Sequence, residues 1–539
     1  MKEARTTGHI SRGPRSGLHK AVLAALWACV LLLTGCAAGP PGQRVGHGPA
    51  GPPGTTAPGP TDHYRQKLRW TPCAEQPSFQ CTTLRAPLDY ARPEAGDIRL
   101  AASRRKATGT GARHIGSLLF NPGGPGEPAI TSLWSYAGAF SQAVRASYDL
   151  VAVDPRGVGS STPVICGDDT AGTPATVRGL PGSDGPDEGG PDEGGPDEGG
   201  PDEGGPDFAA ADEAARETAA ACERGAGRLL RHVGTLDSAR DLELVRTLLG
   251  DERLHYLGFS YGSYLGASYA GLFPSRVGRM VLDGAVDPTL DGVHSLLGQA
   301  RGYQIAWDSF AADCAARPAC PVGHSAEEAG AALDALVGAL DRAPLRRGKD
   351  VVVDGDSLIS AVTTALLAPA WEKLRAALRE VRTGDTTTVQ ELGGAFEDSG
   401  FSGDAYVAIT CLSGSLGARA TPAQARAALP GFLRASPRFG RYFADQLSTC
   451  AHWPVPADQP AGPITAPGAP PILVVGTTRD PATPYTEARA LARLLSSGRL
   501  LTYDGDGHTA YLRSVGCVDE AVDGYLVRGQ SPPAGTVCT

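Results

Sequence analysis

The sequence predicts an α/β fold in which a doubly wound, mostly parallel sheet carries an inserted, mainly helical cap. Short apolar runs ending at turns alternate with helical patterns up to residue 286, and the alternation resumes after residue 455. The stretch 287–455 between them is mainly helical, and a Gly-x-Ser-x-Gly pattern lies where a strand gives way to a helix. A length of 539 residues allows one large domain with an insertion, or two domains.

The predicted sheet elements are short runs rich in β-branched and aromatic residues, each bounded by turn residues. The candidate strands are 116–120, 150–153, 254–259, 280–282, 472–475 and 500–503. Helical patterns at 238–249 and 261–272 lie between them, which indicates two sheet-forming parts of one domain, 63–286 and 456–539. The predicted cap at 287–455 contains helical patterns at 326–340, 357–367, 371–381 and 422–435. A cap in this position is expected to cover an active site.

The N-terminus predicts export. Basic residues precede an apolar run at 21–33 that is too short to span a membrane comfortably, which is typical of a signal peptide at 1–35. Leu33-Thr34-Gly35-Cys36 resembles the bacterial lipobox, in which Cys36 becomes the lipid-modified first residue; ordinary cleavage near Ala37 is the alternative. A Pro/Gly-rich tether at 36–62 favours the lipobox. We therefore expect a secreted protein or a cell-membrane lipoprotein that contacts the membrane only through a lipid anchor.

The cysteine count agrees with export. Of 12 cysteines, Cys29 lies in the signal and Cys36 would carry lipid. The ten that remain are Cys73, Cys81, Cys166, Cys222, Cys314, Cys320, Cys411, Cys450, Cys517 and Cys538. An even number in an oxidising compartment predicts disulfides. Sequential pairing gives five local bridges, but sequence does not establish connectivity. The chain contains no Cys-x-x-Cys or His-x-x-x-His pair, so neither a metal site nor a cofactor is predicted.

An acidic repeat at 182–208 dominates the charge of the chain. It holds 10 acidic and no basic residues, so the rest of the chain sums to about +1 out of a total of -9. This balance predicts no nucleic-acid partner. The repeat has neither apolar content nor helix formers, so we expect a disordered surface loop. Cation or cell-wall binding is the functional alternative.

The segment Gly258-Phe259-Ser260-Tyr261-Gly262 predicts a nucleophile. The bare pattern is weak in so Gly-rich a chain, but a strand precedes it and a helix follows it. A tight elbow at this junction presents the Ser260 hydroxyl above the sheet edge and turns the Tyr261 N–H toward a developing oxyanion. The alternative is a tight turn with a structural serine.

A second oxyanion donor is expected in Asn121-Pro122-Gly123-Gly124-Pro125-Gly126, which follows the strand at 116–120. Consecutive glycines leave backbone N–H groups free to face a ligand, and the α/β-hydrolase fold places such a loop after its third strand. Gly123 and Gly124 are therefore the candidate donors. A simple Gly/Pro turn is the alternative.

The acid and the base are expected after later strands. Asp480 follows the strand at 472–475, and His508 follows the strand at 500–503. This order, Ser then Asp then His, is that of the α/β-hydrolase fold. His508 would take the proton of Ser260 and return it to the leaving group, while Asp480 would hold the imidazole tautomer.

Other aspartates and histidines are rivals for these two roles, of which His452 and His114 have no supporting context. Asp504 and Asp506 lie in the same loop as His508, and we interpret them as loop-shaping residues. Asp154 also ends a strand but precedes the nucleophile, so a structural turn is favoured. His255 lies within the nucleophile strand, where a packed or edge histidine is expected.

With these segments the chain resembles secreted tripeptidyl aminopeptidases and related proline-iminopeptidase-like enzymes of the α/β-hydrolase superfamily. The segments that carry the resemblance are 121–126, 154–161, 258–262, 476–484, 505–508 and the tail from Cys517 to Cys538. The resemblance implies the same catalytic residues, Ser260, Asp480 and His508. It also implies release of short peptides from substrates with a free N-terminus, under a helical cap that limits access.

Two departures from the family concern substrate recognition. The oxyanion loop continues Glu127-Pro128-Ala129, where the family resembles Gly-Ser-Gly, and Cys411 is followed by Leu412-Ser413 rather than an acidic residue. An exopeptidase needs an anion for the substrate ammonium, because burying an unpaired charge is costly. Glu127, Asp404 or another cap carboxylate is the candidate. An esterase or amidase with the same triad, and a non-catalytic envelope-binding protein of this fold, are the alternative functions.

Overall fold

The computed structural model describes residues 62–167, 207–395 and 399–539. The predicted signal peptide, the lipobox with Cys36 and all of the tether but residue 62 lie outside these residues, as does most of the acidic repeat. The end of the repeat is an exception, and there the expectation of disorder is wrong. Asp207 caps a helix by accepting the N–H groups of Ala209 and Ala210, and Phe208 is buried in a core.

Ten strands form one mixed sheet in the order β1-β2-β3-β5-β4-β6-β7-β10-β11-β12. The strands are β1 (Thr71–Pro72), β2 (Gln80–Pro87), β3 (Asp97–Arg105), β4 (Gly116–Asn121), β5 (Tyr148–Val153), β6 (Leu254–Phe259), β7 (Val277–Asp283), β10 (Ile472–Arg479), β11 (Gly498–Asp506) and β12 (Val537–Cys538). Pairing is antiparallel from β1 to β5 and parallel from there to β12. The parallel strands therefore end together at one edge of the sheet.

Burial explains why the central strands have this character. Every residue of β4 is buried, and so are the last four residues of β6 and the last four of β7. Parallel strands covered on both faces are expected to be apolar throughout. β2 instead alternates, with Thr83 and Arg85 exposed between buried neighbours, which is typical of an antiparallel strand with one wet face.

Helices cover both faces of the sheet and fill the stretch between β7 and β10, which we call the helical insertion (residues 284–471). The helices outside the helical insertion are α1 (Ala129–Tyr136), α2 (Gln142–Ser147), α3 (Phe208–Ala226), α4 (Thr235–Leu249), α5 (Tyr261–Leu272), α14 (Tyr485–Leu494) and α15 (Gly516–Arg528). Those of the helical insertion are α6 (Gly292–Ala315), α7 (Ala326–Arg342), α8 (Gly355–Leu367), α9 (Trp371–Glu380), α10 (Thr387–Gly393), α11 (Gly403–Leu412), α12 (Pro422–Ala435) and α13 (Gly440–Asp445).

The helical insertion has its own hydrophobic core, drawn from residues between Leu296 and Leu447 together with Phe208. It also contains the two-stranded hairpin β8 (Leu345–Arg347) and β9 (Asp350–Val353), which the helical expectation for this stretch did not include. α11 is different from its neighbours, because its buried residues pack into the main core under the sheet instead. One helix of the insertion is thus part of the hydrolase core.

Five disulfides join the ten cysteines in sequential pairs: Cys73–Cys81, Cys166–Cys222, Cys314–Cys320, Cys411–Cys450 and Cys517–Cys538. Disulfides persist in oxidising compartments, so their number indicates an extracytoplasmic protein. Within the described ranges, no helix is long and apolar enough to cross a membrane.

Candidate active site

Ser260 lies at the sharp turn between β6 and α5. Its backbone has φ 55° and ψ -124°, a conformation that a residue with a side chain adopts only under constraint. The turn leaves no space beside it, because a Cβ on Gly258 would lie 2.3 Å from the carbonyl oxygen of Gly262. The Ser260 N–H is held by the carbonyl of Asp283 at 2.9 Å. This is the strained elbow that presents a serine hydroxyl at the sheet edge.

Asp480 and His508 meet at the same edge, past the ends of β10 and β11. His508 Nδ1 lies 2.9 Å and 3.0 Å from the two carboxylate oxygens of Asp480. The carboxylate also accepts the N–H groups of Ala482 and Thr483 at 3.0 and 2.9 Å, so its orientation is fixed. Its side chain is 1% exposed and that of His508 13%. The pair has the geometry of an oriented general base.

The environment of His508 favours its charged form. Burial opposes the imidazolium, but the charge and hydrogen bond of Asp480, helped by Asp283, raise the pKa of His508 above its ordinary value. An imidazole that takes a proton from serine needs this kind of support. Among the described residues Ser260 Oγ makes no hydrogen bond to His508, and such bonds are often long in unliganded enzymes.

The predicted oxyanion loop lies against the elbow. A Cβ on Gly123 would lie 2.8 Å from Ser260 Cβ and 3.3 Å from the nitrogen of Tyr261, so only glycine allows this approach. The Gly123 N–H is donated to Asn121 Oδ1 at 3.1 Å, which shapes the loop and occupies this donor. Tyr261 is the first residue of α5, where helix geometry gives its N–H no acceptor. Of the predicted donors, the Gly123 N–H is therefore already engaged, whereas that of Tyr261 is left by helix geometry without an intrahelical acceptor.

Sequence reasoning missed Thr483. Its hydroxyl lies 3.1 Å from Asp480 Oδ2 and 3.3 Å from His508 Nδ1, so it contacts both members of the acid–base pair. A threonine three residues after an aspartate in Asp-Pro-Ala-Thr fits an Asx-type turn, which was the only available signal. The turn explains the backbone bonds to Asp480 but gave no sign of the contact with His508.

Two further carboxyl groups near the site were also missed. Asp283 ends β7 and is fully buried, and burial raises its pKa to about 6. Glu487 in α14 is 4% exposed, and burial raises its pKa to about 8, with Asp287 and Asp480 acting in the same direction. Glu487 Oε2 accepts the N–H of Asp287 at 3.0 Å. The strand-end position of Asp283 was the signal that could have found it.

The rival residues have structural partners. Asp154 accepts the N–H groups of Ile130 and Ser160 at 3.0 and 2.8 Å, which ties the turn after β5 to α1. Asp504 and Asp506 pair with Arg479 at 2.8 and 2.9 Å and shape the loop before His508. His255 accepts the N–H of Arg279, and burial lowers its pKa to about 4.

The candidate carboxylates for the substrate ammonium differ in access. Glu127 is half-buried in the oxyanion loop, where Ser132 Oγ donates to its Oε1 at 2.7 Å. Burial raises the pKa of Glu127, and the nearby His508 opposes that rise. Asp404 is 6% exposed, and its Oδ2 accepts the N–H of Cys166 at 2.8 Å. Its second oxygen is buried with no partner in the part of the chain that is described.

The helical insertion touches the site loops. The N–H of His508 donates to the carbonyl of Leu367, the last residue of α8, at 2.9 Å. The N–H of Ser402 donates to the carbonyl of Gly126 in the oxyanion loop at 3.0 Å. Among the described residues, no group of three or more His, Cys, Asp or Glu side chains could hold a metal ion. The serine at the strained elbow and the hydrogen-bonded acid–base pair suit nucleophilic catalysis with a general base.

The sheet order, the strained serine elbow and the hydrogen-bonded acid–base pair define an α/β-hydrolase and a serine hydrolase, which confirms the predicted fold class. A family model described as TAP-like protein matches residues 436–538. The chain belongs to this family of α/β-hydrolases, which includes curated serine peptidases, and the predicted resemblance is confirmed.

Three curated relatives cover most of the chain. Serine protease Hip1 of Mycobacterium tuberculosis (strain ATCC 25618 / H37Rv) is 34% identical over 88% of this chain and 91% of its own. Carboxylesterase B of the same strain is 33% identical over 85% and 86%. Tripeptidyl aminopeptidase of Streptomyces lividans is 31% identical over 88% and 87%. A solved proline iminopeptidase of Mycobacterium smegmatis aligns over 83% of this chain and 98% of its own, at 15% identity and a TM-score of 0.35.

Proposed function

We propose that this chain is an exported serine aminopeptidase that releases tripeptides or other short peptides from free N-termini through an acyl-enzyme on Ser260. The observation that carries the proposal is the bonded Asp480–His508 pair at the sheet edge where the Ser260 elbow also lies. The relatives named serine protease and tripeptidyl aminopeptidase support a peptide substrate.

In the proposed reaction Ser260 Oγ attacks the scissile carbonyl carbon while His508 Nε2 takes the hydroxyl proton. The N–H groups of Tyr261 and Gly124 stabilise the oxyanion of the tetrahedral intermediate. The C–N bond then breaks as His508 returns its proton to the leaving amine. Water attacks the acyl-enzyme by the same steps and frees the short peptide. Throughout, Asp480 keeps Nδ1 protonated.

Glu127 is the better of the two candidates for the substrate ammonium. It is half-buried beside the oxyanion loop, less buried than Asp404, and close enough to His508 for their charges to interact. Asp404 is less accessible, because it is buried and accepts a backbone N–H next to the Cys166–Cys222 bridge. A carboxylate at Glu127 would pair with the ammonium and select substrates with a free N-terminus.

The export route is part of the proposal. A lipid anchor on Cys36 followed by the Pro/Gly-rich tether would hold the enzyme at the outer face of the membrane. The five disulfides support an oxidising compartment and are compatible with either a lipoprotein or a secreted enzyme. Mass spectrometry of the mature N-terminus would separate the two, since lipidation adds a diacylglycerol thioether to Cys36.

The decisive experiment compares Ser260→Ala with Ser496→Ala, an exposed serine in the loop before β11. We expect Ser260→Ala to lose labelling by a fluorophosphonate and about 10⁵- to 10⁶-fold in kcat on tripeptidyl-arylamides. Ser496→Ala should keep both. Full turnover by Ser260→Ala would overturn the proposal. Absence of labelling in the unmodified protein would indicate a binding protein that retains the fold.

The second experiment concerns the substrate N-terminus. Glu127→Gln should raise KM for peptides with a free N-terminus by about 10- to 100-fold, because a charge-assisted hydrogen bond is lost. The matched variant Asp404→Asn should leave KM nearly unchanged. Product analysis on a peptide library would show the length released. Equal KM values in both variants and in the parent enzyme would exclude Glu127 as the ammonium site.

An esterase acting on a non-peptide acyl substrate is the second candidate function. The relative named Carboxylesterase B, at 33% identity over 85% of this chain, favours it. The same triad would serve both functions, so only substrate preference distinguishes them. A panel that compares p-nitrophenyl esters with tripeptidyl-arylamides measures that preference. Higher kcat/KM on every ester than on any peptide would make the esterase the better assignment.

A further inference from the structure

Asp283 occupies the centre of the catalytic edge. It is the last residue of β7, which lies between β6 and β10, and it is in register with Phe259 on one side and Val475 on the other. The strands that lead to Ser260 and to Asp480 therefore flank it directly. The sequence motifs did not single it out.

Three hydrogen bonds connect Asp283 to two catalytic loops. Its carbonyl accepts the N–H of Ser260 at 2.9 Å. Its Oδ2 accepts the N–H groups of Ala510 and Tyr511 at 2.9 and 2.8 Å. One residue thus holds both the serine elbow and the chain that follows His508.

The chain after His508 needs such support. Thr509, Leu512 and Ser514 have φ values of 63°, 67° and 63°, which residues with side chains adopt only when the surroundings impose it. The carboxylate of Asp283 binds the two N–H groups between the first and second of these residues. Without it the imidazole would lose a constraint on its position.

The Asp283 carboxylate is also a charged group in the buried interior of the protein. Asp283 is 0% exposed, and its Oδ1 has no hydrogen-bond partner among the described residues. A buried charge with an unpaired oxygen is costly unless a nearby cation uses it. The charged groups that face His508 are Asp480, Asp283, Arg513 and Glu127. Asp283 itself faces Asp480 and His508, and Glu487 faces Asp480 from α14.

We propose that Asp283 is a positioning residue of the reaction: it clamps the chain after His508 against the serine elbow, and its negative charge supports the His508 imidazolium as a second carboxylate behind Asp480. This inference rests on the proposed catalytic role of His508. Burial raises the pKa of Asp283 to about 6, and the Asp283 charge acts to raise the pKa of His508. At neutral pH the carboxylate is therefore mainly ionised.

The variant that tests the charge is Asp283→Asn, since the amide oxygen can still accept both N–H groups while the negative charge is removed. We expect the acid limb of the kcat/KM profile to move to lower pH, because His508 loses a neighbour that raises its pKa. We also expect kcat to fall by about tenfold with KM unchanged, because the imidazolium is stabilised less in the transition state. A structural clamp alone would leave the acid limb in place, and that result would overturn the proposal.

An NMR titration of the His508 imidazole in the Ser260→Ala background tests the inference without needing any turnover. The imidazole pKa should be lower in Ser260→Ala/Asp283→Asn than in Ser260→Ala. Equal values would refute the role of Asp283 even if the peptidase proposal holds, and a shift would support it even if the substrate is another acyl compound. If the double variant does not fold, the Ser260→Ala protein alone is decisive. The ionisation of Asp283 should then raise the pKa of His508 as the pH rises, so the imidazole titration should depart from a single-site curve, and a single-site curve would refute the proposal.

Discussion

The hydrolase core and the helical insertion contribute to the active site in different ways. The core supplies side chains: Ser260, Asp480 and His508 each follow a strand of the parallel sheet. The helical insertion meets the same loops through backbone atoms, with the carbonyl of Leu367 bonded to the His508 N–H and the N–H of Ser402 bonded to Gly126. In the proposed reaction, the contribution of the hydrolase core therefore depends on which side chains it carries. The contribution of the helical insertion depends on where its backbone lies.

The difference explains which substitutions should matter in each region. In the core, loss of a functional group removes a step of the reaction. In the helical insertion, the contacts described above are made by backbone atoms, so a substitution that displaces the backbone is expected to disturb the site loops. Gly302 of α6 is such a position, because a Cβ there would lie 2.4 Å from the carbonyl oxygen of Pro481 and 3.0 Å from that of Asp480.

The largest effect is expected from Asp480→Asn in the core. The amide would present an N–H group to His508 Nδ1 and favour the wrong tautomer, so kcat should fall by about 10⁴-fold with the fold intact. Asp506→Asn is the matched control, since it weakens only a partly exposed ion pair with Arg479. Steady-state kinetics on tripeptidyl-arylamides measure both. Similar losses in the two variants would contradict a specific role for Asp480.

A second prediction compares the disulfide that joins α11 to a later part of the insertion with a disulfide that closes a much shorter loop. Replacing Cys411 and Cys450, which close a loop with a sequence separation of 39, should lower the free energy of unfolding by about 4 kcal/mol. Replacing Cys314 and Cys320, with a separation of 6, should cost about 2 kcal/mol. Urea unfolding of the two double alanine variants gives the comparison. A larger loss for the second pair would contradict it.

The third prediction tests the backbone contact of the helical insertion. Gly302→Ala should displace the Asp480 loop and lower kcat by about 100-fold, because catalytic groups tolerate little misplacement. Gly298→Ala is on the same helix, with a Cβ at an ordinary 3.5 Å from Glu487 Oε1. Its kcat should stay close to that of the parent enzyme. Equal kcat values for the two variants would show that the insertion does not position the acid.

The smallest effect is expected at Thr483. Thr483→Val keeps the shape and removes the hydroxyl that contacts Asp480 and His508, so kcat should fall by about tenfold. Thr483→Ser keeps a hydroxyl and should recover most of the rate. If Thr483→Val is fully active, the hydroxyl has no part in holding the pair.

The strands and catalytic residues of the hydrolase core could be predicted from the sequence to a large extent. The strand predicted at 254–259 is β6 as observed, because an apolar run followed by Gly-x-Ser-x-Gly leaves few alternatives. The order of Ser260, Asp480 and His508 along the chain could be predicted for the same reason. β2 was missed, since its apolar residues alternate with residues such as Thr83 and Arg85 and form no continuous run.

What sequence could not supply is contact between distant segments. The predicted strand at 280–282 stopped one residue short of Asp283, whose partners lie at residues 260, 510 and 511. Thr483 looked like an ordinary turn residue, because nothing local shows that His508 is within 3.3 Å. The bond from His508 to Leu367 joins two backbones and leaves no residue signature at all.

That last bond has a consequence for how relatives can diverge. A carbonyl oxygen is the same in every amino acid, so the residue at 367 can change without removing the acceptor that holds the His508 N–H. A substitution at position 367 that keeps α8 in place would therefore leave the backbone support of His508 intact.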